Sequence, residues 1–552
     1  MSLGQRVAIC LLGVVLLFDI TMALTTTSPT TTKSEQSSSG APFQLGFVTD
    51  VEGNLEYFLR WVKQSNVVTA SGATPNCKTL HLDLHHDNCH FVYGGDVVDK
   101  GPGDIRLTRA LVDFQRRYPD RVHLLVGNRD LNKLRFTAEL SETDLARPAS
   151  EIPPPHWDPK APTLKEFLQQ KLKDSENPHL TIENLNTRVN RLHYLLQHTL
   201  GCPRTFEFRR QELALLQNST ADQITDHQVV DNFLHEVQQG SLAEYLSVAK
   251  VAVCIGNTLF CHGAVDADTM RYIPRIDTKF ENPTSKPPPG ALIDNVHDWT
   301  DALNEFLQQG LEDFRARPHW NDERTSRGGE SLMALQNRPA VWGRSIVSNC
   351  YGDGGCITTA HAAQIRNDPE RVEMSRTNPL AFEKVSSDPL DPMVANWLKK
   401  DGIQRVMVGH KPTGDCAAIL SALYTGVEII SADTSFSDTT AKDNRGQAVA
   451  GVELVGKSPN DNQLRVSGTL SDGMAYTTIG VRLHPDGVDA STGDIYLGLQ
   501  LEDGWWIKAS DQRYYHLTRG NGRKVEHQRV ARQDLPSMMN GDITVQQLCL
   551  FL

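Results

Sequence analysis

The side chains able to do chemistry recur at one kind of position in this chain. Five short apolar runs each end in a turn that carries a metal-capable group. They are Phe47-Val48-Thr49-Asp50-Val51-Glu52-Gly53-Asn54, Val92-Tyr93-Gly94-Gly95-Asp96-Val97-Val98-Asp99-Lys100-Gly101, Leu125-Val126-Gly127-Asn128-Arg129-Asp130, Phe260-Cys261-His262-Gly263 and Met407-Val408-Gly409-His410. Carboxylate, amide and imidazole groups are the ordinary donors for divalent cations. Asp50 and Glu52 stand two apart, so at a strand end their carboxylates leave on the same side. Taken singly, an acid-Gly-Asn cluster is an ordinary turn. Asp50, Asp96, Asn128, His262 and His410 in the same structural position five times over are a constellation.

The elements needed to position them are strands followed by helices. Leu45 to Val48 reads as a short buried strand, and Leu55, Phe58, Leu59 and Val62 then fall on one helical face. The second run is followed by Leu107, Ala110, Leu111 and Phe114 at the same spacing. Strands alternating with helices imply an α/β fold, in which ligands sit beyond the carboxyl ends of the strands. All five acid, amide and imidazole positions are therefore expected around one crevice.

The ordered set Asp50-x-Glu52-Gly53-Asn54, Gly95-Asp96-x-x-Asp99-Lys100-Gly101, Gly127-Asn128-Arg129-Asp130, His262-Gly263 and Gly409-His410 resembles the calcineurin-like metallophosphoesterases, most closely their Ser/Thr protein phosphatase-like branch. The resemblance runs from about Phe43 to Asp433 and implies a β-sandwich flanked by helices. It also implies two divalent metal ions and a metal-bound hydroxide that attacks phosphorus. Carried over residue by residue, Asp96 would bridge the ions, Asp50 would hold the first, and Asn128, His262 and His410 the second. Two ions about 4 Å apart activate water and clamp the attacking and leaving oxygens.

Three positions depart from the family pattern. Glu52 stands where the family has His, which makes the first site all oxygen and favours Mn²⁺ or Mg²⁺ there. The second site, with its His ligands, suits Fe, Zn or Mn. Arg129 stands where the family's His pairs with the acid at Asp99 and assists the leaving group. A guanidinium stays protonated, so Arg129 cannot donate a proton, but it can grip phosphate with Asp99 orienting it. Lys100 replaces an Arg, keeping the charge and losing the fork. Asp99 and Arg129 are the expected catalytic pair, and Lys100, Arg129 and Arg344 (in Val341-Trp342-Gly343-Arg344-Ser345) the expected substrate contacts. A surface Arg is the alternative for Arg344.

Between Asn128 and His262 lie 133 residues, with helical spacing at Leu164 to Lys173 and Thr187 to His198. A further helical stretch runs from Val296 to Phe314. Helical insertions are thus expected at about 135–250 and 280–340, either as a cap over the crevice or as scaffold facing away. Beyond Asp433 short alternating runs such as Leu464 to Val466 and Asp494 to Leu501 read as strands. They would either finish the sheet or form an appended module.

The expected organisation is a signal peptide over 1–23, a Ser/Thr-rich stalk over 24–42, a metallophosphoesterase domain over 43–435 and a β-rich region over 436–552. Arg6 precedes the apolar run Val7 to Phe18, which is short for a bilayer span, with an uncleaved anchor as the alternative. The expected location is the secretory lumen or outside the cell. There, Cys350 with Cys356 and Cys77 with Cys89 could close local disulfides. Zinc binding by the Cys77–Cys89 loop and its histidines matches no familiar spacing. Cys254 and Cys261 flank a hairpin turn in which Cys254 would face Leu259, leaving both thiols free. Asn218-Ser219-Thr220 is an N-glycosylation sequon if exposed. A net charge of −12 with no basic run argues against a nucleic-acid partner. The expected partner is a phosphorylated small molecule or phosphoprotein. The expected function is metal-dependent hydrolysis of phosphate esters or anhydrides. The alternative is a catalytically silent relative that only binds phosphorylated ligands.

Overall fold

The computed structural model describes residues 41–155, 160–265, 270–277, 290–336, 392–411, 413–423, 425–434, 448–499, 501, 505–521 and 524–538. The expected signal peptide, the Thr/Ser stalk up to residue 40, Arg344 and the Cys350–Cys356 loop lie outside these residues. No helix among the described residues is long and apolar enough to cross a membrane.

The fold is α/β, built on two sheets. The first has seven strands, with Phe43–Val48 between an antiparallel neighbour, Val449–Ser458, and a parallel one, Cys89–Tyr93. Val122–Leu124 continues the parallel side, and Asp461–Thr469, Ala475–His484 and Gly487–Asp489 continue the antiparallel side. The second sheet has five strands, with Arg405–Val408 running parallel between Thr258–Cys261 and Glu428–Ser431. The strands Val449–Asp489 therefore finish the sheet that begins at Phe43, because Val449–Ser458 pairs with it directly. Trp506–Ser510, Tyr514–Asn521 and Lys524–Ala531 form a separate three-stranded sheet.

Strand periodicity explains how the two sheets meet. Phe47, Val92, Phe260, Met407 and Ile430 form one buried cluster between the sheets, with the Phe47 and Phe260 rings 5.7 Å apart. Their sequence neighbours Val48, Phe91, Tyr93, Leu259, Cys261, Val406 and Ile429 belong to the other main cluster, with residues of the covering helices. That is the period-two alternation of strands buried on both faces. Helix Leu55–Gln64 packs Phe58 and Trp61 into this second cluster. Its first turn is capped by Asn54, whose Oδ1 accepts from the Tyr57 N–H at 3.0 Å. Each such side chain contributes about 1.5–3 kcal/mol by leaving water, so the helix is held by its apolar face.

The insertion is helical. Leu164–Lys173 forms as expected, with a Thr163–Glu166 capping box, and Arg188–Tyr194 passes into a wider π turn at Leu195–Thr199. Helix Thr205–Gln217 is tied to helix Asp104–Arg117 by two buried ion pairs, Arg106–Glu212 and Arg209–Asp104, each at 3.1 Å.

Two expectations fail. Cys77 and Cys89 are free thiols. Cys89 opens a strand in register with Gln44 and is buried there, while the Cys77 carbonyl is held by Arg106 Nη1 at 2.8 Å. Cys89 is thus committed to the sheet, whereas Cys77 lies in a loop. Asp494 to Leu499, the unbroken described part of the expected strand Asp494 to Leu501, is turn, because Asp494 accepts the Tyr496 N–H through its side chain and the Leu497 N–H through its carbonyl. Cys254 does face Leu259, and both hairpin cysteines are free. Asn218 is exposed, at a left-handed helix C-cap.

Candidate metal centre

All five strand ends deliver their turns to one place, and backbone hydrogen bonds stitch the turns together. The Asp50 N–H donates to Gly95 O and the Glu52 N–H to Asp96 O, both at 3.0 Å, and the Gly409 N–H donates to His262 O at 2.8 Å. A Cβ at Gly127 would collide with the Asp96 carboxylate, and one at Gly409 with that of Asp50. Only glycine lets these two turns approach so closely.

Two donor clusters result. Asp50, Glu52 and Asp96 form one, and Asp96, His262 and His410 the other, each with its ligand atoms within 4.8 Å of one another. Asp96 belongs to both. Asn128 joins the second, with Oδ1 3.2 Å from His262 Nε2. His262 Nδ1 lies 2.8 Å from the Gly94 carbonyl. A carbonyl can only accept, so Nδ1 carries a proton and Nε2 is the nitrogen turned to the cluster, the orientation a ligating imidazole needs. Asp50, Glu52 and Asp96 are each under 5% exposed.

The electrostatics fit a cation. Burial, then the neighbouring Asp433 charge, hold the Asp50 carboxyl well above its usual range, with Asp96 adding to the push. Burial raises Asp96 too, but His262 and Arg129 outweigh it and keep that carboxyl low. Burial lowers His262, while Asp96 and Asp50 draw it up to about 10. Several buried carboxylates facing imidazole and amide donors are the chemistry of a divalent metal site.

Backbone strain concentrates here. Among the described residues eight non-glycine residues have positive φ, and five are Asp50, Glu52, Asp96, Asp99 and His410, at 53°, 51°, 55°, 130° and 66°. Such conformations cost about 1–3 kcal/mol each and persist where the surroundings enforce them.

The cationic side of the crevice is built from Lys100, Arg129 and Lys133. Arg129 Nε lies 3.2 Å from Glu52 Oε1 and 3.6 Å from Asp96 Oδ2, and its Nη1 donates to Asp99 at 3.0 Å. Lys100 Nζ reaches Glu52 at 2.9 Å. Lys133 is buried and contacts both Asp99 oxygens, at 2.8 and 2.9 Å. The helical insertion reaches the site as well, since Leu200 O accepts from Arg129 Nη1 at 3.3 Å and Thr205 Oγ1 donates to Asp99 O.

Four contributors escaped the sequence reading. Lys133 is one. Asp130 accepts the N–H groups of Gly127, Asp96 and Val97 at 2.8, 3.0 and 2.8 Å, locking two of the turns together. The Thr49 hydroxyl donates to Asp50, and Asp433 sets the Asp50 environment. Lys133 lies one helical turn after Arg129, the only local signal that could have flagged it.

The fold and the site together define an α/β protein with a buried, two-lobed donor cluster that shares one carboxylate. No family model matches the sequence, and no curated relative matches it. Among solved structures, a cold-active protein-tyrosine phosphatase of a Shewanella species aligns over 79% of this chain and 80% of its own. The identity is 13% and the TM-score 0.34. A protein serine/threonine phosphatase from Saccharomyces cerevisiae aligns over 76% of this chain and 74% of its own, with 11% identity and a TM-score of 0.26. Likeness at those scores carries no functional argument, which rests on the site itself.

Proposed function

We propose that this chain is a metal-dependent phosphoric ester hydrolase whose centre takes two divalent ions. The observation that carries the reading is Asp96, which belongs to both donor clusters. Asp50, Glu52 and Asp96 would hold one ion, with Mn²⁺ or Mg²⁺ favoured by all-oxygen donors. Asp96, Asn128, His262 and His410 would hold the other, as Fe, Zn or Mn. Ions held there would lower the pKa of a water and polarise the phosphoryl oxygens.

The protein's own groups do the rest. Arg129 and Lys100 face the crevice from the cationic side and bind the phosphate oxygens as charge develops. Asp99 and Lys133 keep the Arg129 guanidinium in place. The substrate is a phosphate ester or anhydride of a small molecule or a protein. Purified protein should carry metal and hydrolyse p-nitrophenyl phosphate on addition of Mn²⁺.

A second reading draws on the Glu52–Arg129 and Glu52–Lys100 ion pairs. Two protein cations already balance Glu52, as suits a protein that binds phosphorylated ligands without turning them over. Metal-loaded protein that binds phosphate and hydrolyses nothing would decide for that reading.

A further inference from the structure

A second charged cavity lies in the helical insertion. Its volume is about 50 Å³, and none of the residues lining it belongs to either donor cluster. On this scale about 10–15 Å³ admits one water, so it has room for a small headgroup. Arg147, Arg191 and Arg324 line it together with Asp144, and Leu164 and Leu195 supply an apolar wall.

The charges do not balance around Asp144. This one buried carboxylate receives Arg191 Nη1 at 2.8 Å, Arg324 Nε at 2.8 Å and Arg147 Nη1 at 3.5 Å. The other acid on the wall, Glu139, is engaged by both Nε and Nη2 of Arg135 at 2.7 and 3.0 Å. The exposed Glu151 carboxylate lies 3.7 Å from Arg147 Nε. Three guanidiniums on one carboxylate leave an excess of positive charge in a partly dry space, a costly arrangement unless an anion completes it. Burial lowers the Arg191 pKa, and the like charge of Arg147 lowers it further against the pull of Asp144.

Donors remain for such an anion on Arg324, whereas Arg147 Nη2 already donates to Glu151 O at 3.0 Å and Arg147 adds chiefly charge. Arg324 spends only Nε on Asp144, and among the described residues its two Nη nitrogens make no hydrogen bond. Its guanidinium lies 4.6 Å from the Trp320 ring centroid, which steadies it. Arg324 also holds φ at 54°, so a strained residue 180 positions along the chain brings this group to Asp144. Arg147 and Arg324 are 22% and 35% exposed, whereas Arg191 is 3% exposed. The first two can therefore be reached from solvent while the third forms the floor.

We propose that this cavity is a binding site for a tetrahedral oxyanion, a phosphate or sulfate group, gripped by Arg324 and held by the charges of Arg147 and Arg191. The open Nη fork of Arg324, beside the charges of Arg147 and Arg191, suits an oxyanion with several acceptor oxygens. The Leu164 and Leu195 wall favours an oxyanion carried on an apolar body over the free ion.

The test is isothermal titration of the full-length protein with sulfate, inorganic phosphate and phenyl phosphate. Sulfate should bind the unmodified protein and the Asp96→Asn variant equally, which separates this site from the metal centre. Arg324→Gln and Arg147→Gln should each weaken sulfate about tenfold or more, as expected for a lost charged hydrogen bond. Arg324→Lys should fall between, keeping charge without the fork. Thermal melts without sulfate identify any variant that is misfolded, and the other Arg then carries the test. In the Asp96→Asn background phenyl phosphate should bind tighter than inorganic phosphate. Equal affinities there would rule out the organic ligand. Absence of sulfate binding, or unchanged binding in both Gln variants, would overturn the site itself.

Discussion

Arg129 Nε sits 3.2 Å from Glu52 Oε1, so the two most unusual residues of the crevice are partners. One brings a negative charge and the other a positive charge to positions where the resembling family carries imidazoles. Their pairing keeps the local charge balanced in a region under 5% exposed at Glu52. It also gives Arg129 two anchors, Glu52 on one side and Asp99 on the other. A side chain held at both ends is positioned for recognition rather than for proton transfer.

Asp96→Asn removes one negative charge from both donor clusters at once. Metal affinity should fall by at least about a hundredfold, more than the usual loss of an outer-shell partner. Hydrolysis should fall with it, and the circular dichroism spectrum should stay unchanged, because Asp96 lies in a turn beyond its strand. Elemental analysis showing a full metal complement in the variant would sink the shared-carboxylate assignment.

Glu52→His exchanges an oxygen donor for nitrogen. If Glu52 ligates, competition binding should shift from Mn²⁺ towards Zn²⁺ by about tenfold or more. An unchanged preference would mean that Glu52 serves only Lys100 and Arg129.

Arg129 has no proton to give, since burial opposes its charge but Glu52 and Asp99 hold it firmly protonated. Activity should therefore fall steeply as the leaving group becomes more basic, and phosphoserine peptides should lag behind aryl phosphates. Arg129→His should recover the alkyl esters selectively. Equal turnover of both classes by the unmodified protein would show that another group donates the proton.

Lys133→Met strips one of two cations from buried Asp99, leaving Arg129, and should cost about 1–3 kcal/mol in urea unfolding. Asp99→Asn together with Lys133→Met should recover part of that loss, because no buried carboxylate is left short of a partner. Additive losses in the double-mutant cycle would mean that the two residues are not coupled.

His123 supplies a pH signature away from the crevice. Burial, then Lys250 and His90, hold its pKa down at about 4, below the usual 6.5. The unfolded chain takes up this proton first, so stability present above pH 6.5 is lost as pH falls towards 4. The loss should be about 2–3 kcal/mol. His123→Gln should flatten that part of the curve, and urea titrations across the window measure it. The same slope in both proteins would assign it to other groups.

Much of this molecule is legible along the chain. The strand at Leu45 to Val48 and the helices beginning at Leu55 and Leu164 follow from spacing, because periodicity is local in sequence. The five turn positions were equally visible, since each directly follows an apolar run. What joins them is not local. That Asp96 sits in both donor clusters depends on two sheets meeting, and that Glu52 meets Arg129 depends on two separate turns packing together. Lys133 under Asp99, Asp130 locking the turns and Arg324 reaching Asp144 were beyond the sequence for the same reason. Cys77 and Cys89 look like partners in one dimension, yet both are free thiols, Cys89 in a paired strand and Cys77 in a loop. Sequence order determines which residues begin and end each element. Only packing between elements decides which side chains share a dry space, and there pairing and burial set the chemistry.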